Sequence, residues 1–492
     1  MKNGIKLIVA VSTAALLVTI AGPPSSAEPN RDTVITAMKR ASSFMADKVS
    51  THGGYVNKYS ADLSKRWGEV PARDSQIVCQ PPGTPSMGML YLEAYKASGE
   101  WDFLRYAEMA ADALIWGQHP AGGWHYLIDF DMPGLRKWYD EVASRCWGWE
   151  EYYHYYGNCS FDDRATYAPA KFLLELYMTT LDPKYRVPLL KALDFILEAQ
   201  YPCGGWPQRY PLMYDFPHGG HDDYTHYYTY NDGAIQNNIF LLFEAWEKLG
   251  NEEYRKAAVR GMDFYIISQQ GEPQAGWAQQ YTMDMRPGAA RTYEPAAVSA
   301  HRTVANIRDL MTYYTMTGDR RYLDTIPRAI AWLEKSAINS DPSKKYTHAG
   351  FYEPGTNDPL FYHFDGTNPD NHKYRVDHDI EGSWWYRRTI TPDFEGMKRR
   401  FERVSALSPE QALAEYAESK KERDESDPVD TKEVESILSS MDDRGAWVTD
   451  IGIRQYDKGM LEVPLIEMKG IDVSVFIRNT TTLIRYLKST KR

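Results

Sequence analysis

Residues 203–211 read Cys-Gly-Gly-Trp-Pro-Gln-Arg-Tyr-Pro, and the first half of this stretch recurs along the chain. The recurring marker is a small residue, then Gly, then an aromatic residue, and successive copies lie 69 to 95 residues apart. A fixed marker at such intervals is typical of repeat architectures. The copies are Gly53-Gly54-Tyr55, Gly122-Gly123-Trp124, Gly204-Gly205-Trp206, Ala275-Gly276-Trp277, Ala349-Gly350-Phe351 and, in degenerate form, Gly445-Ala446-Trp447.

Pairs of amphipathic segments lie between the markers, with apolar residues three and four positions apart, as helices require. They cover residues 87–98 and 101–118, 169–180 and 183–200, 235–249 and 252–269, and 304–317 and 320–336. One helix pair cannot bury its apolar face alone, so neighbouring pairs must close around a shared core. The sequence therefore predicts an all-α fold, an α/α barrel or toroid of about six helix pairs with short β elements in the rim loops.

The marker loops have two interpretations. They gather on one rim of such a toroid, where their aromatic rings and exposed backbone could line a cleft for a sugar. Alternatively, each Gly ends a helix and each aromatic residue packs in the core, with no ligand involved. The copy at 203–211 favours the first interpretation because polar residues accumulate beside it.

Composition narrows the class of partner. The 492 residues include 36 Tyr and 14 Trp, and the formal net charge is -11. A nucleic acid or an anionic membrane surface requires a basic patch, so we expect neither as a partner. An acidic substrate stays open, because a local group of arginines and a metal ion can override the global charge.

The N-terminus predicts export. Lys2 and Lys6 precede the apolar run 7–20, and small residues up to Ala27 follow, as in a cleavable signal peptide. We therefore expect a signal peptide at 1–27, one catalytic toroid at 28–492 and a secreted or periplasmic monomer. The four cysteines, Cys79, Cys146, Cys159 and Cys203, could form disulfides after export but are too few to be the framework of the fold.

Acidic residues precede two predicted helices at equivalent points of adjacent repeats. They are Asp162 and Asp163 in one repeat and Asp232, after Asn231, in the next. Each could simply cap a helix. Closure of the toroid would instead bring them together, and close carboxylates repel unless a cation lies between them. Oxygen ligands without His or Cys suit a hard ion such as calcium.

Arg291 follows in the next repeat, in the stretch Ala290-Arg291-Thr292-Tyr293-Glu294. It could form a structural salt bridge with Glu294. Its Gly and Ala neighbours favour instead an exposed side chain that a ligand approaches closely.

These motifs together resemble the pectate lyases with an α/α toroid, polysaccharide lyase family 10. The likeness runs from about residue 30 to the end of the chain, and four separate motifs occur in the same order. The motifs are Gly204 to Gln208, Thr229-Tyr230-Asn231-Asp232, Asp162-Asp163-Arg164-Ala165-Thr166, and the pair formed by Trp277 to Tyr281 with Ala290 to Glu294.

The resemblance implies an activity and a set of roles. Asp162, Asp163 and Asp232 would hold Ca²⁺ at a substrate carboxylate, and Arg291 would be the base that removes the C5 proton of a galacturonate in β-elimination. The substrate would be an acidic polysaccharide, polygalacturonate (pectate). The expected substrate-binding residues are Trp206, Gln208, Arg209, Tyr230, Asn231, Gln280, Tyr281, Tyr293, Glu294 and Arg375.

Two positions depart from the family pattern. Asp163 stands where Asn is more common, and Phe364 stands where an arginine that grips a uronate is expected. Arg375 or Lys373 could take over that contact.

Two other functions remain open. An inverting glycoside hydrolase on the same fold would use two acidic residues with a water between them, such as Asp163 and Glu294. A catalytically silent protein would bind uronates without turnover.

Overall fold

The structure is a computed structural model, which describes residues 29–131, 134–145, 152, 154–213, 223–340, 345–365, 373–384, 386–422, 429–453 and 466–490. The expected signal peptide at 1–27 and Cys146 lie outside the described residues. Among the helices of the described part, none is long and apolar enough to cross a membrane.

Helices dominate the architecture. They are α1 Arg31–Phe44, α2 Thr84–Ser98, α3 Trp101–Trp116, α4 Gly134–Glu141, α5 Tyr167–Thr180, α6 Pro183–Glu198, α7 Ala234–Leu249, α8 Glu252–Ile267, α9 Ala300–Thr317, α10 Arg321–Asp324, α11 Ile326–Lys335, α12 Phe394–Ser405, α13 Pro409–Glu422, α14 Thr431–Ser439 and α15 Val473–Ser489. A π-helical turn, Met45–Val49, extends α1.

Within each pair, the first helix ends and the second begins close to where the sequence predicts. Asp182 accepts a hydrogen bond from the amide of Lys184 at the start of α6, and Asn251 accepts one from Glu253 at the start of α8. Such capping satisfies amides that have no partner inside the helix. The fourth pair differs from its prediction, because residues 320–336 form two short helices, α10 and α11, that meet at Thr325 before a proline.

The helix pairs close into a toroid, which confirms the predicted fold class. Helix α2 packs on α3, α5 on α6 and α7 on α8, while α2, α5 and α7 also pack on one another in sequence. Helices α7 and α9 meet through a ring contact between Phe240 and Tyr313, with centroids 6.1 Å apart. Helix α13 packs on α9 and, through Tyr416, on Phe243 of α7.

The two ends of the chain complete the ring. Helix α15 packs on α2 and on α1, and α1 also packs on α3. The Arg31 guanidinium donates to the carbonyl of Leu487 at 3.0 Å, and the Tyr486 hydroxyl donates to the carbonyl of Pro29. The first and last described helices thus form one pair of the toroid.

The marker aromatic residues belong to the core. Trp124, Trp206 and Trp277 are fully buried, and each indole N–H donates at 2.8 Å to a backbone carbonyl near the end of the preceding helix. Trp447 makes the same bond to Ile437 at 2.9 Å. The packing interpretation of the marker is therefore correct for these rings, and the cleft-lining interpretation is wrong for them.

Short strands build the rim loops. They are β1 Lys58–Ser60, β2 Arg66–Trp67, β3 Pro71–Ala72, β4 Gln76–Val78, β5 Leu127–Asp129, β6 Cys159–Ser160, β7 Arg209–Tyr210, β8 Tyr228–Thr229, β9 Trp277–Ala278, β10 Gln280–Tyr281, β11 Val298–Ser299, β12 His348–Ala349, β13 Phe351–Tyr352, β14 Pro359–Asp365, β15 Lys373–Asp377, β16 Thr389–Ile390, β17 Thr449–Ile453 and β18 Ile466–Asp472.

The strands link neighbouring repeats in antiparallel pairs. Strand β6 pairs with β7, β8 with β10, and β9 with β11, so each rim loop is tied to the next. The larger sheets, β17-β18-β1-β2-β3 and β15-β14-β13-β11-β9, are more extensive than the short β elements that the sequence predicts. Cys79, Cys159 and Cys203 are free thiols.

Candidate active site

Two matching turns form the centre of the site. Asp162–Arg164 and Asn231–Gly233 are 3-10 turns that directly precede α5 and α7 and contact each other. Asp163 and Asp232 both have left-handed backbones, with φ of 47° and 48°. Such a conformation is uncommon outside glycine, although Asp adopts it more readily than most residues. The repeat therefore places the same unusual turn twice, side by side.

The three aspartates form a cluster instead of capping helices. Thr166 and Gly233 occupy the N-cap positions of α5 and α7, and neither makes a side-chain capping bond. Asp162, Asp163 and Asp232 each present a carboxylate oxygen, and these oxygens lie within 4.8 Å of one another. The capping interpretation is therefore wrong, and ring closure brings the three carboxylates together.

Arg291 lies between two of these carboxylates. Its Nη2 is 3.2 Å from Asp162 Oδ2 and 3.0 Å from Asp232 Oδ2. The salt bridge with Glu294 is also present, at 3.8 Å from Nε. The Arg291 side chain is only 3% exposed, so the expectation of an exposed side chain is wrong. Its position within reach of the cluster agrees with the expected grouping of these residues.

Glu294 organises the loops beneath the cluster. Its Oε1 accepts hydrogen bonds from Asn231 Nδ2, Gln279 Nε2 and the Tyr386 hydroxyl, each at 3.0 Å. Its Oε2 accepts from Gln280 Nε2 at 3.1 Å and from the Arg291 amide at 3.3 Å.

A carboxylate that is 1% exposed and has five donors is a structural hub. Glu294 and Gln280 therefore position the loops, and their expected contact with substrate stays a prediction. The burial of Glu294 argues against its role as one of the two acidic residues of an inverting hydrolase, which needs a water molecule between its carboxylates.

Four aromatic side chains expected at the substrate are buried. Trp206, Tyr230 and Tyr281 are fully buried, and Tyr293 is 2% exposed against the ring of Trp384. The Tyr230 hydroxyl is 2.7 Å from Ser268 Oγ, and the Tyr281 hydroxyl accepts a bond from the Ala278 amide. These expectations are corrected: the rings support the rim loops from below.

Gln208 and Arg209 lie beside the cluster. Gln208 Nε2 donates to Asp162 Oδ2 at 3.2 Å, and the Tyr126 hydroxyl donates to the same oxygen at 2.6 Å. The Arg209 guanidinium lies over the ring of Tyr156 at 4.2 Å and is 1% exposed. Both residues are buried, and Gln208 orients Asp162, while their expected contact with substrate stays a prediction.

Arg387 is the residue that the sequence reading misses. Its Nη2 donates to Asn231 Oδ1 at 2.8 Å and is 3.7 Å from Asp232 Oδ1. The Trp-Trp-Tyr-Arg-Arg run at 384–388 is the signal that could have identified it. Arg375, by contrast, is half-exposed and pairs with Asp377 at 3.3 Å. The side chains of Phe364 and Lys373 lie outside the described residues.

Charge is unevenly distributed over the cluster. Burial and the neighbouring carboxylates of Asp162 and Asp232 hold the pKa of Asp163 well above its usual value. Burial also opposes ionisation of Asp232, but the guanidinium groups of Arg291 and Arg387 outweigh it and hold the pKa of Asp232 below its usual value. A cation beside Asp163 would relieve the repulsion there.

The cluster opens into a cavity of about 540 Å³. Asp163 and Asp232 lie at its rim together with Gln80, whose Nε2 donates to Asp163 at 2.9 Å. Helices α7 and α9 form its far wall.

The cluster suits a hard cation. It offers oxygen donors alone, and Asp163 and Asp232 are partly exposed towards the cavity. Calcium takes about six to eight oxygen ligands, so three carboxylates leave room for water and for a substrate carboxylate. The residues present therefore fit calcium.

Comparisons with known proteins give one family model and several solved structures. Residues 137–368 match the family model described as pectic acid lyase. A family 10 polysaccharide lyase from Cellvibrio cellulosa is 20% identical, covers 57% of this chain and 84% of its own, and has a TM-score of 0.38. A mutant of that lyase in complex with trigalacturonic acid also has a TM-score of 0.38, at 20% identity over 55% of this chain and 85% of its own.

A GH76 α-mannanase from Bacteroides thetaiotaomicron is 12% identical, covers 93% of this chain and 96% of its own, and has a TM-score of 0.41. Structural similarities of this size say nothing about substrate or mechanism. No curated protein matches the sequence. The matched residues 137–368 include Asp162, Asp163, Asp232 and Arg291, so the candidate site lies inside the part of the chain that is similar to the pectic acid lyase family.

Proposed function

We propose that this protein is a secreted pectate lyase that cleaves α-1,4-linked polygalacturonate by calcium-assisted β-elimination. The observation that carries the proposal is the cluster of Asp162, Asp163 and Asp232 with Arg291 between two of its carboxylates, inside the part of the chain that matches the family. The expected domain layout, a signal peptide at 1–27 followed by a single catalytic unit that acts as a monomer, is part of the proposal.

The acidic cluster would bind the cation and, through it, the uronate. Asp163 and Asp232 would offer oxygens on the cavity side, while Tyr126 and Gln208 hold Asp162 in place from below. Calcium, when bound there, would offset the carboxylate charge of the uronate and acidify its C5 proton. Arg387, at the edge of the cluster, would orient Asp232 and Asn231.

Arg291 would remove the C5 proton. The C5 electron pair would then form the C4–C5 double bond, and the C4–O bond would break with its electrons on the leaving oxygen. Arginine is a weak base because its pKa lies above about 12. Its two carboxylate partners, Asp162 and Asp232, favour the charged form further. We therefore expect the reaction to require alkaline pH and partial release of Arg291 from these carboxylates.

The deciding experiment is incubation with polygalacturonate, with calcium or with a chelator, followed by ultraviolet absorbance. A lyase gives a conjugated, unsaturated product only in the presence of calcium. New reducing ends without absorbance would identify a hydrolase. Binding by calorimetry without either product would identify a silent uronate-binding protein, and both results would contradict the proposal.

A further inference from the structure

The cavity next to the acidic cluster is lined by an arginine that the proposed reaction does not use. Arg302, on α9, lines this cavity and is 7% exposed. Its guanidinium lies 5.8 Å from the ring centre of Tyr230, which packs beneath it. Among the described residues, no hydrogen-bond acceptor reaches its side chain, and its buried Nε has no partner. A buried donor without an acceptor is costly, so Arg302 is a candidate for contact with a ligand.

An acidic residue on the same helix, Asp309, also lines this cavity. Asp309 already accepts hydrogen bonds from Gln236 Nε2 at 2.5 Å and from the Tyr265 hydroxyl at 3.2 Å. Burial raises the pKa of Asp309 to about 6 in spite of Arg302.

A second donor faces the same space. Asn237, on α7, lines the cavity and is 8% exposed, and its buried Nδ2 has no acceptor in the described part of the chain. Arg308 adds an exposed positive charge one turn and a half further along α9. Two donors without acceptors and a second arginine thus surround a volume of about 540 Å³, within the range of about 300–1,000 Å³ that encloses a small organic ligand.

We propose that Arg302 binds the carboxylate of a second uronate, next to the uronate held at the acidic cluster, and so sets the specificity for a charged neighbouring sugar. The inference rests on the proposed function, because it names a further contact of the same substrate. Arg302 would satisfy its guanidinium with the planar carboxylate, and Asn237 would donate to an oxygen of the same sugar. Arginine is suited to this contact since its donors match a carboxylate in a two-pronged geometry.

The test compares binding and turnover in matched variants. In the Arg291→Ala background, calorimetry with trigalacturonate and calcium should show Arg302→Gln weakening affinity by about tenfold to a hundredfold, as expected for a charge-assisted bond. Arg302→Lys should restore part of the affinity. Arg321→Gln, which removes an exposed arginine on α10 that pairs with Asp319, is the control and should change nothing. In the otherwise wild-type enzyme, Arg302→Gln should raise KM more than it lowers kcat.

A further variant guards against misfolding of Arg302→Gln. Ala305→Glu places a negative charge on the same cavity wall and should weaken trigalacturonate binding while Arg302 stays in place. Elimination by the wild-type enzyme, with unchanged affinity in both Arg302→Gln and Ala305→Glu, would overturn this inference and leave the proposed function standing. Absence of both binding and elimination in the wild-type protein would overturn the two together.

Discussion

At the scale of single residues, hydrogen bonds from neighbouring side chains hold the charged groups of the site in place. Asp162 receives donors from Tyr126, Gln208 and Arg291, so its carboxylate orientation is fixed before any ligand binds. Glu294 does the same for the loop that carries Arg291. Preorganised charge of this kind needs little rearrangement during a reaction, which is the main source of electrostatic catalysis.

Replacement of the proposed base tests its role directly. Arg291→Ala should lower lyase activity by at least about a hundredfold, because the proton acceptor is lost. The fold should persist, and calcium binding should be retained, since the three carboxylates remain and lose a competing cation. Activity on polygalacturonate, circular dichroism and calcium calorimetry measure the three effects. Arg286→Ala, an exposed arginine of the same loop, is the control, and wild-type turnover by Arg291→Ala would refute the role.

Glu294→Gln tests the hub. The new amide would direct N–H groups at donors that now face a carboxylate, so buried donors would lose their acceptor. We expect unfolding to become easier by about 2–4 kcal/mol. Denaturant titration gives the value, with the exposed Glu334→Gln on α11 as the control. An unchanged midpoint would show that Glu294 does not organise the loops.

At the scale of elements, the Gly-aromatic marker lets two segments of backbone approach each other closely. Gly204 has φ of +106°, and a Cβ there would lie 1.9 Å from the carbonyl oxygen of Arg260 on α8. The glycine therefore lets the rim loop rest on the next helix pair. The following residues bury Trp206 against the preceding helix, so one short motif fastens a loop to two neighbouring pairs.

A pair of glycine variants separates the two effects at this motif. Gly99 also has a positive φ, of +81°, but nothing lies within 4 Å of a Cβ built there. Gly99→Ala should cost about 1 kcal/mol from backbone strain alone. Gly204→Ala should cost at least about 3 kcal/mol, because the collision with Arg260 adds to that strain. Thermal unfolding measures both, and equal losses would contradict the close approach.

At the scale of the whole molecule, ion pairs join helices from different pairs of the ring. Lys488 of α15 pairs with Glu93 of α2, and Lys96 of α2 lies 3.8 Å from Glu175 of α5. Glu175 also pairs with Lys248 of α7, while Glu247 of α7 pairs with Lys420 of α13. The toroid is thus fastened by charge as well as by its apolar core.

Acidic pH should weaken the ion pairs of Glu175 and so lower the stability of the protein. Burial opposes its ionisation, but Lys171 and Lys248 outweigh burial and lower the pKa of Glu175 to about 2 from 4.5. A lowered folded pKa stabilises the protein above pH 4.5, and this stabilisation is lost as the pH falls towards 2. The loss is at most about 3 kcal/mol. Glu175→Gln should flatten the stability of the protein over this range in denaturant titrations.

Glu395→Gln serves as the control for that experiment. Glu395 is exposed on α12, with a single ion pair at 3.8 Å, so its replacement should leave the acid limb of the stability curve unchanged. An equally steep acid limb in wild-type and Glu175→Gln protein would contradict the assigned stabilisation.

The local patterns were sufficient to predict the helix pairs and the position of the acidic residues. Pairs such as 169–180 and 183–200 appear within two residues of their predicted limits as α5 and α6. The equivalence of Asp163 and Asp232 also followed from the repeat. The long rim sheets and α1 were missed, because short strands and a helix before the first marker have no repeated partner in the sequence to reveal them.

The sequence by itself determined the toroid and the equivalence of the acidic turns, because helix periodicity, capping and the Gly-aromatic marker act within a few residues and recur in each repeat. Only the tertiary structure decided which side chains are buried and which residues meet. Trp206, Tyr230 and Tyr281, which the sequence predicts at the substrate, lie in the core. Arg387 contacts Asn231, which is 156 residues away in the chain. Such contacts depend on how the ring closes, and no local pattern records the distance between segments so far apart in the chain.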